Sequence, residues 1–432
     1  MHKSLTSLAA ATAFMLVLEV PAAAVAAESE AQFPAESKEA ATDRTAVDAF
    51  AAAQARLAFS LIEKIANGNS AAPPCKSRCM PTNRHIDATV SPASLAAAFG
   101  IVSQGADHAM KAAIARALGF TPEQADAGLA ALADVRGMLP SAGDTFQSAS
   151  RIVFAPSSPP NRILQAGLEN LGIDYSIADL SDPEAATKID AWIKEVTKGA
   201  IPEILGGPVA KSSLVALNAL HFKSRWKSPF DPALTAPAVF VGLDGKSGEV
   251  AMMRLGRAIR AFRQDRKGEH NFVAIDLPFA DKRFSLVVVT TTDKAAAARD
   301  FAPAAAWLTG TGFTAQAGDL AMPRFSASGR EDLMPVLNAL GLDKARHAVI
   351  ALQGFAPGAM LSQVVQRAMI EIDEEGAEAA AATAVMSSRT LGADDAIHMV
   401  VEKPFIYALR DKVTGLILVA GYVGQPPKGK TA

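Results

Sequence analysis

Close to its C-terminus the chain runs Glu374-Glu375-Gly376-Ala377-Glu378-Ala379-Ala380-Ala381-Ala382-Thr383-Ala384-Val385. Alanine and glutamate are strong helix formers. Gly376 interrupts the run after the acidic pair, however, and the residues beyond it are too uniformly small to anchor a helix in a core. At a period of two, Ala377, Ala379, Ala381, Thr383, Val385 and Ser387 share one face and Glu378 falls on the other. The chemistry this suits is that of the backbone: a strand with a small, uncharged face can enter a sheet without a clash or a buried charge. A solvent-facing alanine-rich helix or linker is the alternative for these residues taken alone.

Side-chain catalysis finds little support elsewhere. There is no Gly-x-Ser-x-Gly elbow and no His-Glu-x-x-His pair. Gly310-Thr311-Gly312-Phe313-Thr314-Ala315 fits the loose dinucleotide pattern but lacks a surrounding βαβ unit. None of the seven histidines pairs with serine or cysteine at a diagnostic local spacing, although a triad assembled from distant residues stays open. His221, inside an apolar run, reads as a hydrogen-bonded core histidine. Cys75 and Cys79 are the two cysteines; with His85 nearby they make three candidate metal ligands without a fourth, so a local disulfide is favoured over a metal site. No metal and no cofactor is expected.

Composition and period outline the scaffold around the Glu374 stretch. Half of the 432 residues are hydrophobic, a fifth are charged and the net charge is -2. A large core is therefore possible, and there is no electrostatic case for nucleic acid or an anionic membrane. His2 and Lys3, the apolar Leu5–Leu18 and the small-x-small Ala24-Val25-Ala26 have the form of a signal peptide over residues 1–27. The expected mature chain is exported, periplasmic or secreted. Residues 28–44 read as a flexible linker, and 45–432 as one domain.

Helix is expected from Thr45, with Phe50, Leu57, Leu61 and Ile65 on one face, and over Leu95–Val102, Met110–Leu118, a start at Thr121, Ala185–Val196 and Leu333–Leu340. Strands are expected at Thr89-Val90, Ser150–Phe154, Ser213–Phe222, Ala258–Arg263, Phe272–Leu277, Phe284–Thr291, Val364–Ile372 and in a hairpin of Phe405–Arg410 with Leu416–Val423. Helices first and strands later argue for an α+β architecture.

Five collinear segments carry a resemblance. The Glu374–Thr383 tract looks like the hinge of an inhibitory serpin. Asn218-Ala219-Leu220-His221-Phe222-Lys223-Ser224-Arg225-Trp226 is similar to that family's strand running from an asparagine to a tryptophan. Ser91-Pro92-Ala93-Ser94-Leu95 is similar to its Ser-Pro-x-Ser segment, and Leu277-Pro278-Phe279 with Phe284-Ser285-Leu286 to its Leu-Pro-Tyr hairpin. Lys403-Pro404-Phe405 through Gly421-Tyr422-Val423-Gly424-Gln425-Pro426 resembles its terminal signature. From about Val47 to Pro426 the chain thus resembles an exported bacterial serpin of the inhibitory type. The resemblance implies three β-sheets, a surrounding cluster of eight or nine helices, an exposed reactive loop at about 374–402, and a protease inhibitor in place of an enzyme.

It also implies a suicide mechanism: a protease cleaves the loop, is held as an acyl-enzyme, and is dragged as the loop inserts into the central sheet. Counting from Glu374 by the family's loop length puts the cut after Thr390, before Leu391, which suits an elastase-like pocket. Arg389-Thr390, one residue earlier, suits a trypsin-like one, and either bond is open. The implied partners are serine proteases, with cysteine proteases as a further class; the protein is expected to be a monomer with no membrane or nucleic-acid partner. A non-inhibitory serpin acting as a binding or chaperone-like protein is the runner-up, and an unrelated periplasmic enzyme or binding protein the third reading. Ser91, Ser94, Asn218, Trp226 and Gln366 take the family's shutter and breach positions. Gln366 stands where a histidine is expected; it is expected to hydrogen-bond Asn218 and Ser91 without titrating. Ala377 stands where threonine or serine is usual.

Overall fold

The strand Leu214–Phe222 is buried at all nine positions, the pattern of a strand covered on both faces, and the fold is laid out around it. The computed structural model describes residues 38–67, 87–129, 146–170, 174–209, 214–265, 271–343, 352, 360–377 and 396–425. Met1–Thr45 is a unit of its own, and the fold proper is Ala46–Ala432.

In chain order come α1 (Lys38–Ala66), β1 (Ala88–Val90), α2 (Pro92–Gln104), α3 (His108–Ala117), β2 (Phe146–Phe154), α4 (Arg162–Asn170), β3 (Asp174–Ile177) and α5 (Pro183–Val196). Next are β4 (Leu214–Phe222), β5 (Ser224–Arg225), β6 (Ala236–Val241), β7 (Ser247–Asp265), β8 (Phe272–Pro278), β9 (Phe284–Thr291), β10 (Thr314–Pro323) and β11 (Phe325–Asp332). The last are α6 (Met334–Leu337), β12 (Leu361–Ile372), β13 (Gly376–Ala377), β14 (Ile397–Val400), β15 (Phe405–Asp411) and β16 (Ile417–Val423).

Three sheets result, and the fold is the expected α+β arrangement. The five-stranded one runs β11-β12-β4-β2-β3; a nine-stranded one runs β1-β16-β15-β9-β8-β7-β10-β14 with β6 also on β7; β13 and β5 form a third. In the five-stranded sheet β4 is antiparallel to β2 but parallel to β12, with Gln366 beside Asn218. Parallel neighbours so far apart in sequence need long connections, which is why no local pattern announces this joint. The inner face of the sheet packs into the main core with α1 and α2. A second cluster on the other face joins Ile189 and Ile193 of α5 to Val153, Val215, Leu217 and Val365.

Several expected boundaries shift. Helix α1 reaches back to Lys38, into the stretch read as a linker, because Lys38-Glu39-Ala40-Ala41 favours helix. Its expected inner face is buried at Phe50, Leu57, Leu61 and Ile65. Thr121 opens a 3-10 turn, Pro122–Gln124. Gly310-Thr311-Gly312 is the turn between a 3-10 helix and β10, with φ of 80° at Gly310 and 75° at Gly312, and it does not join a strand to a following helix as the dinucleotide pattern requires. Strands β6, β10 and β11 and most of β7 escape the period-two reading; β7 carries arginines and glycine through a register shift opposite Gly318/Leu320, which breaks its alternation. Cys75 and Cys79, the residues read as a signal peptide, and Glu378 through Leu391 lie outside the described residues.

Candidate functional site: the turn after β12 and the polar joint beneath it

Strand β12 ends at Ile372, and the next four residues reverse the chain. Asp373 N–H donates to Gly376 O at 2.9 Å, while its carboxylate Oδ1 accepts from Glu375 N at 2.9 Å and Gly376 N at 3.1 Å. An aspartate folding its own backbone in this way is an Asx-type turn. The chain leaves it as β13, where Gly376 pairs with Arg225 and Ala377 with Ser224. Gly376 has φ of 154°, and a Cβ there would lie 2.0 Å from Ser224 O, so the position takes glycine alone. Ala377 is fully buried.

Trp226 anchors this turn from below. Its backbone N–H donates to Glu375 O at 2.8 Å, its indole Nε1–H to Asp373 O at 2.9 Å, and its ring stacks on Phe279 at 4.5 Å between centroids. Phe230 N–H donates to Glu374 O at 2.8 Å. The Glu374 side chain turns inward, accepting from Arg324 Nη2 at 2.8 Å and from Thr235 Oγ1 at 2.7 Å. Burial pushes this carboxyl upward, but the hydrogen bonds from Arg324 and Thr235, with the Arg324 charge, outweigh it and hold Glu374 below the ordinary carboxylate value. Asp373 moves the other way: burial raises it, with the charges of Glu374 and Glu375 adding to that, against the lowering effect of its two backbone hydrogen bonds.

Deeper under the β4–β12 joint lie the polar residues singled out from the sequence. Ser91 caps α2, its Oγ accepting from Ser94 N at 3.3 Å and donating to Ser94 Oγ at 2.7 Å. Gln366 clamps β12 onto that cap with two hydrogen bonds: Ser91 N–H donates to its Oε1 at 2.7 Å and its Nε2 donates to Ser91 O at 2.8 Å. The amide thus copies a strand's donor–acceptor pair, which a histidine ring would not do through one atom group. The expected bond from Gln366 to Asn218 is not made. Asn218 Nδ2 donates to Ser150 Oγ at 2.7 Å instead, and Asn218 Oδ1 is buried without a partner among the described residues.

Sequence reasoning therefore brought Glu374, Gly376, Trp226, Ser91, Ser94, Asn218 and Gln366 to one end and one seam of the five-stranded sheet. It missed Arg324, Thr235, Asp373 and Ser150. No spacing links Arg324 to Glu374 across the intervening β11 and β12; Asp373 alone left a local trace, an aspartate three residues before a glycine. Among the described residues no group of three or more His, Cys, Asp or Glu could hold a metal ion.

A family model described as Serpin (serine protease inhibitor) matches residues 77–426. The chain belongs to the serpin family, a family of protease inhibitors in which enzymes are not the rule. It is 26% identical over 370 residues to glia-derived nexin of Mus musculus, covering 79% of this chain and 88% of the nexin. It is 31% identical over 280 residues to serpin A3-1 of Bos taurus, covering 61% of this chain and 65% of that one. Among solved structures it is similar to a thermophilic serpin, tengpin, in the native state, with a TM-score of 0.70 and 19% identity over 87% of this chain and 94% of that one.

Proposed function

We propose that the protein inhibits serine proteases as a suicide substrate, with residues 377 onward entering the five-stranded sheet between β4 and β12 after cleavage. The observation that carries this reading is the turn at Asp373–Gly376. It reverses the chain at the end of β12, so that Gly376 and Ala377 run back antiparallel to the preceding strand direction. Continuing the register of that turn would set Ala377 beside Ile372, Ala379 beside Ile370, Ala381 beside Ala368 and Thr383 beside Gln366. All four β12 residues are buried on the inner face. The small uncharged positions would thus face the core, and Glu378 the outer surface, which avoids burying a charge.

Energetics favour the same direction. A strand entering between β4 and β12 would replace one parallel pairing with two antiparallel ones, which are somewhat more stable per residue. It would also give every backbone group of the entering tract a ladder partner. The Thr383 hydroxyl would arrive between Gln366 and Asn218, where Asn218 Oδ1 lacks a donor. Arg389 or Thr390 would precede the severed bond, for a trypsin-like or an elastase-like target respectively. The leading residues read as a signal peptide support an exported inhibitor.

The test is to nick the loop with a metalloprotease, which forms no acyl-enzyme, and to compare thermal unfolding before and after. A large rise in midpoint is expected; an unchanged or lower midpoint refutes insertion. Ala379→Arg is expected to turn the inhibitor into a substrate, because the arginine would face the core.

A further inference from the structure

The chain as a whole carries a net charge of -2, yet the surface around β5 is cationic. Lys223, Arg225 and Lys227 occupy alternate positions along β5 and the residues flanking it, and all three are exposed, while Trp226 between them is buried. Alternation sets them on one face at intervals of roughly 7 Å. The turn between β8 and β9 lies alongside: Ala280 N–H donates to Arg225 O at 2.8 Å, and Lys227 N–H to Pro278 O at 3.0 Å. That turn adds the exposed Lys282 at φ of 62°, a left-handed conformation that glycine or asparagine would take with less strain.

The acidic groups nearby are turned to other partners. Glu374 faces inward to Arg324 and Thr235, Asp373 Oδ1 accepts from two backbone N–H groups, and Glu375 Oε2 is buried. Asp281 accepts from Arg283 N, Phe284 N and Ser224 Oγ at 2.9, 3.1 and 3.3 Å. The side chains of Arg225, Lys227 and Lys282 have no hydrogen bond or ion pair among the described residues. Anions are thus held inward or tied to backbone while cations face solvent, and the row presents a positive field. Trp226, Phe230, Phe279 and Phe284 around it are all buried, so the row lacks the exposed stacking platforms that hold single-stranded nucleic acid.

We propose that Lys223, Arg225, Lys227 and Lys282 form the surface that steers the target protease in the first encounter, and that the target is acidic beside its active site. The proposal rests on the inhibitory reading above. Gly376 and Ala377 pair with Arg225 and Ser224, so the tract that carries the bait begins at this row. Arg389 and Thr390 follow Ala377 by 12 and 13 positions, a tether of roughly 45 Å at full extension. An enzyme seated on the bait therefore stays over this end of the molecule, where the row attracts an acidic flank. Charge complementarity of this kind acts mainly on the rate of association. After insertion Thr390 would stand thirteen strand residues along the sheet, roughly 43 Å from the row, so the row serves capture and not the trapped complex.

The experiment uses the intact full chain and whichever of trypsin and pancreatic elastase forms the covalent complex. That protease is compared with the same enzyme after succinylation of its surface lysines, which replaces cations by carboxylates and keeps the active site. The second-order rate constant of inhibition is expected to rise about tenfold on succinylation at an ionic strength of about 20 mM, and by less than about twofold in about 0.5 M sodium chloride. Arg225→Gln with Lys227→Gln and Lys282→Gln is expected to remove most of that rise and to leave the moles of inhibitor consumed per mole of protease unchanged. A merely structural role would shift that stoichiometry and the thermal midpoint, and would slow both forms of the protease alike. Equal rates for the two forms, or a rise that the triple variant keeps, overturn the proposal. So does acceleration of the unmodified protease by dextran sulfate that needs the three side chains, without preference for the succinylated form; the row would then serve a polyanion. If neither protease is trapped, the inhibitory reading falls and this one with it.

Discussion

Replacing Glu374 by alanine is expected to loosen the top of the β4–β12 joint. The Glu374 side chain is 6% exposed and accepts from Arg324 Nη2 and Nε and from Thr235; Arg324 is 28% exposed. Breaking a fully buried ion pair costs about 3–5 kcal/mol because a charge is left uncompensated. Water reaches more than a quarter of Arg324, which reduces that to about 2 kcal/mol, and loss of the Thr235 bond adds about 1 kcal/mol. Urea unfolding at neutral pH should therefore show a loss of about 3 kcal/mol. Arg324→Ala should cost at least as much, since it strands the more buried partner. The pH dependence is specific to the ion pair. Glu374 is lowered in the folded state, so its stabilisation is complete above the ordinary value of 4.5 and is lost as pH falls through the lowered value. The gap between wild type and Glu374→Ala should shrink in acid. Equal stabilities at neutral pH, or a gap that does not change on acidification, would refute the pairing as the source.

Other substitutions draw on the same geometry. Asp373→Asn keeps an oxygen to accept from Glu375 N and Gly376 N. It removes a raised carboxyl whose cost is absent at low pH and appears as pH rises through its folded value, so it should stabilise by about 0.5–1 kcal/mol at neutral pH and not in acid. Gly376→Ala should cost about 2–4 kcal/mol, read as a fall in the urea midpoint, because its Cβ would meet Ser224 O. Gln366→Ala removes both bonds to Ser91 and should cost about 2–3 kcal/mol, with no histidine-like pH dependence in wild type; an unchanged thermal midpoint would contradict the clamp. Thr383→Val should leave the intact chain unaffected and cost about 1–2 kcal/mol in the nicked one, where the hydroxyl would reach Asn218 Oδ1.

The sequence was most legible where period and burial coincide. The continuous apolar run at Leu214–Phe222 could only be a strand covered on both sides, and the 3.6-residue spacing from Phe50 to Ile65 could only be an amphipathic helix. It was least legible where long-range pairing decides. Strand β7 spans Ser247–Asp265 although its arginines interrupt every alternation, because pairing with β6, β8 and β10 in turn overrides local pattern. The same holds for the site. Glu374 and Gly376 announced themselves by type and spacing, and Trp226 by its place in the resemblance, but Arg324 and Thr235, which hold the Glu374 carboxylate, come from two separate segments with no local signal. The partner of Gln366 was right in Ser91 and wrong in Asn218, since side-chain direction at the joint is settled by the register and not by residue type.

If the protein inhibits as proposed, cleavage must lead to capture. Incubation with trypsin and with pancreatic elastase, followed by denaturing electrophoresis and mass spectrometry of the products, reads this out without an intermediate inference. The expected product is a covalent complex that survives denaturation, with the protease acylated by Arg389 or Thr390 and the C-terminal fragment released. Complete cleavage of the loop with no such complex, repeated across a panel of serine proteases, would contradict it.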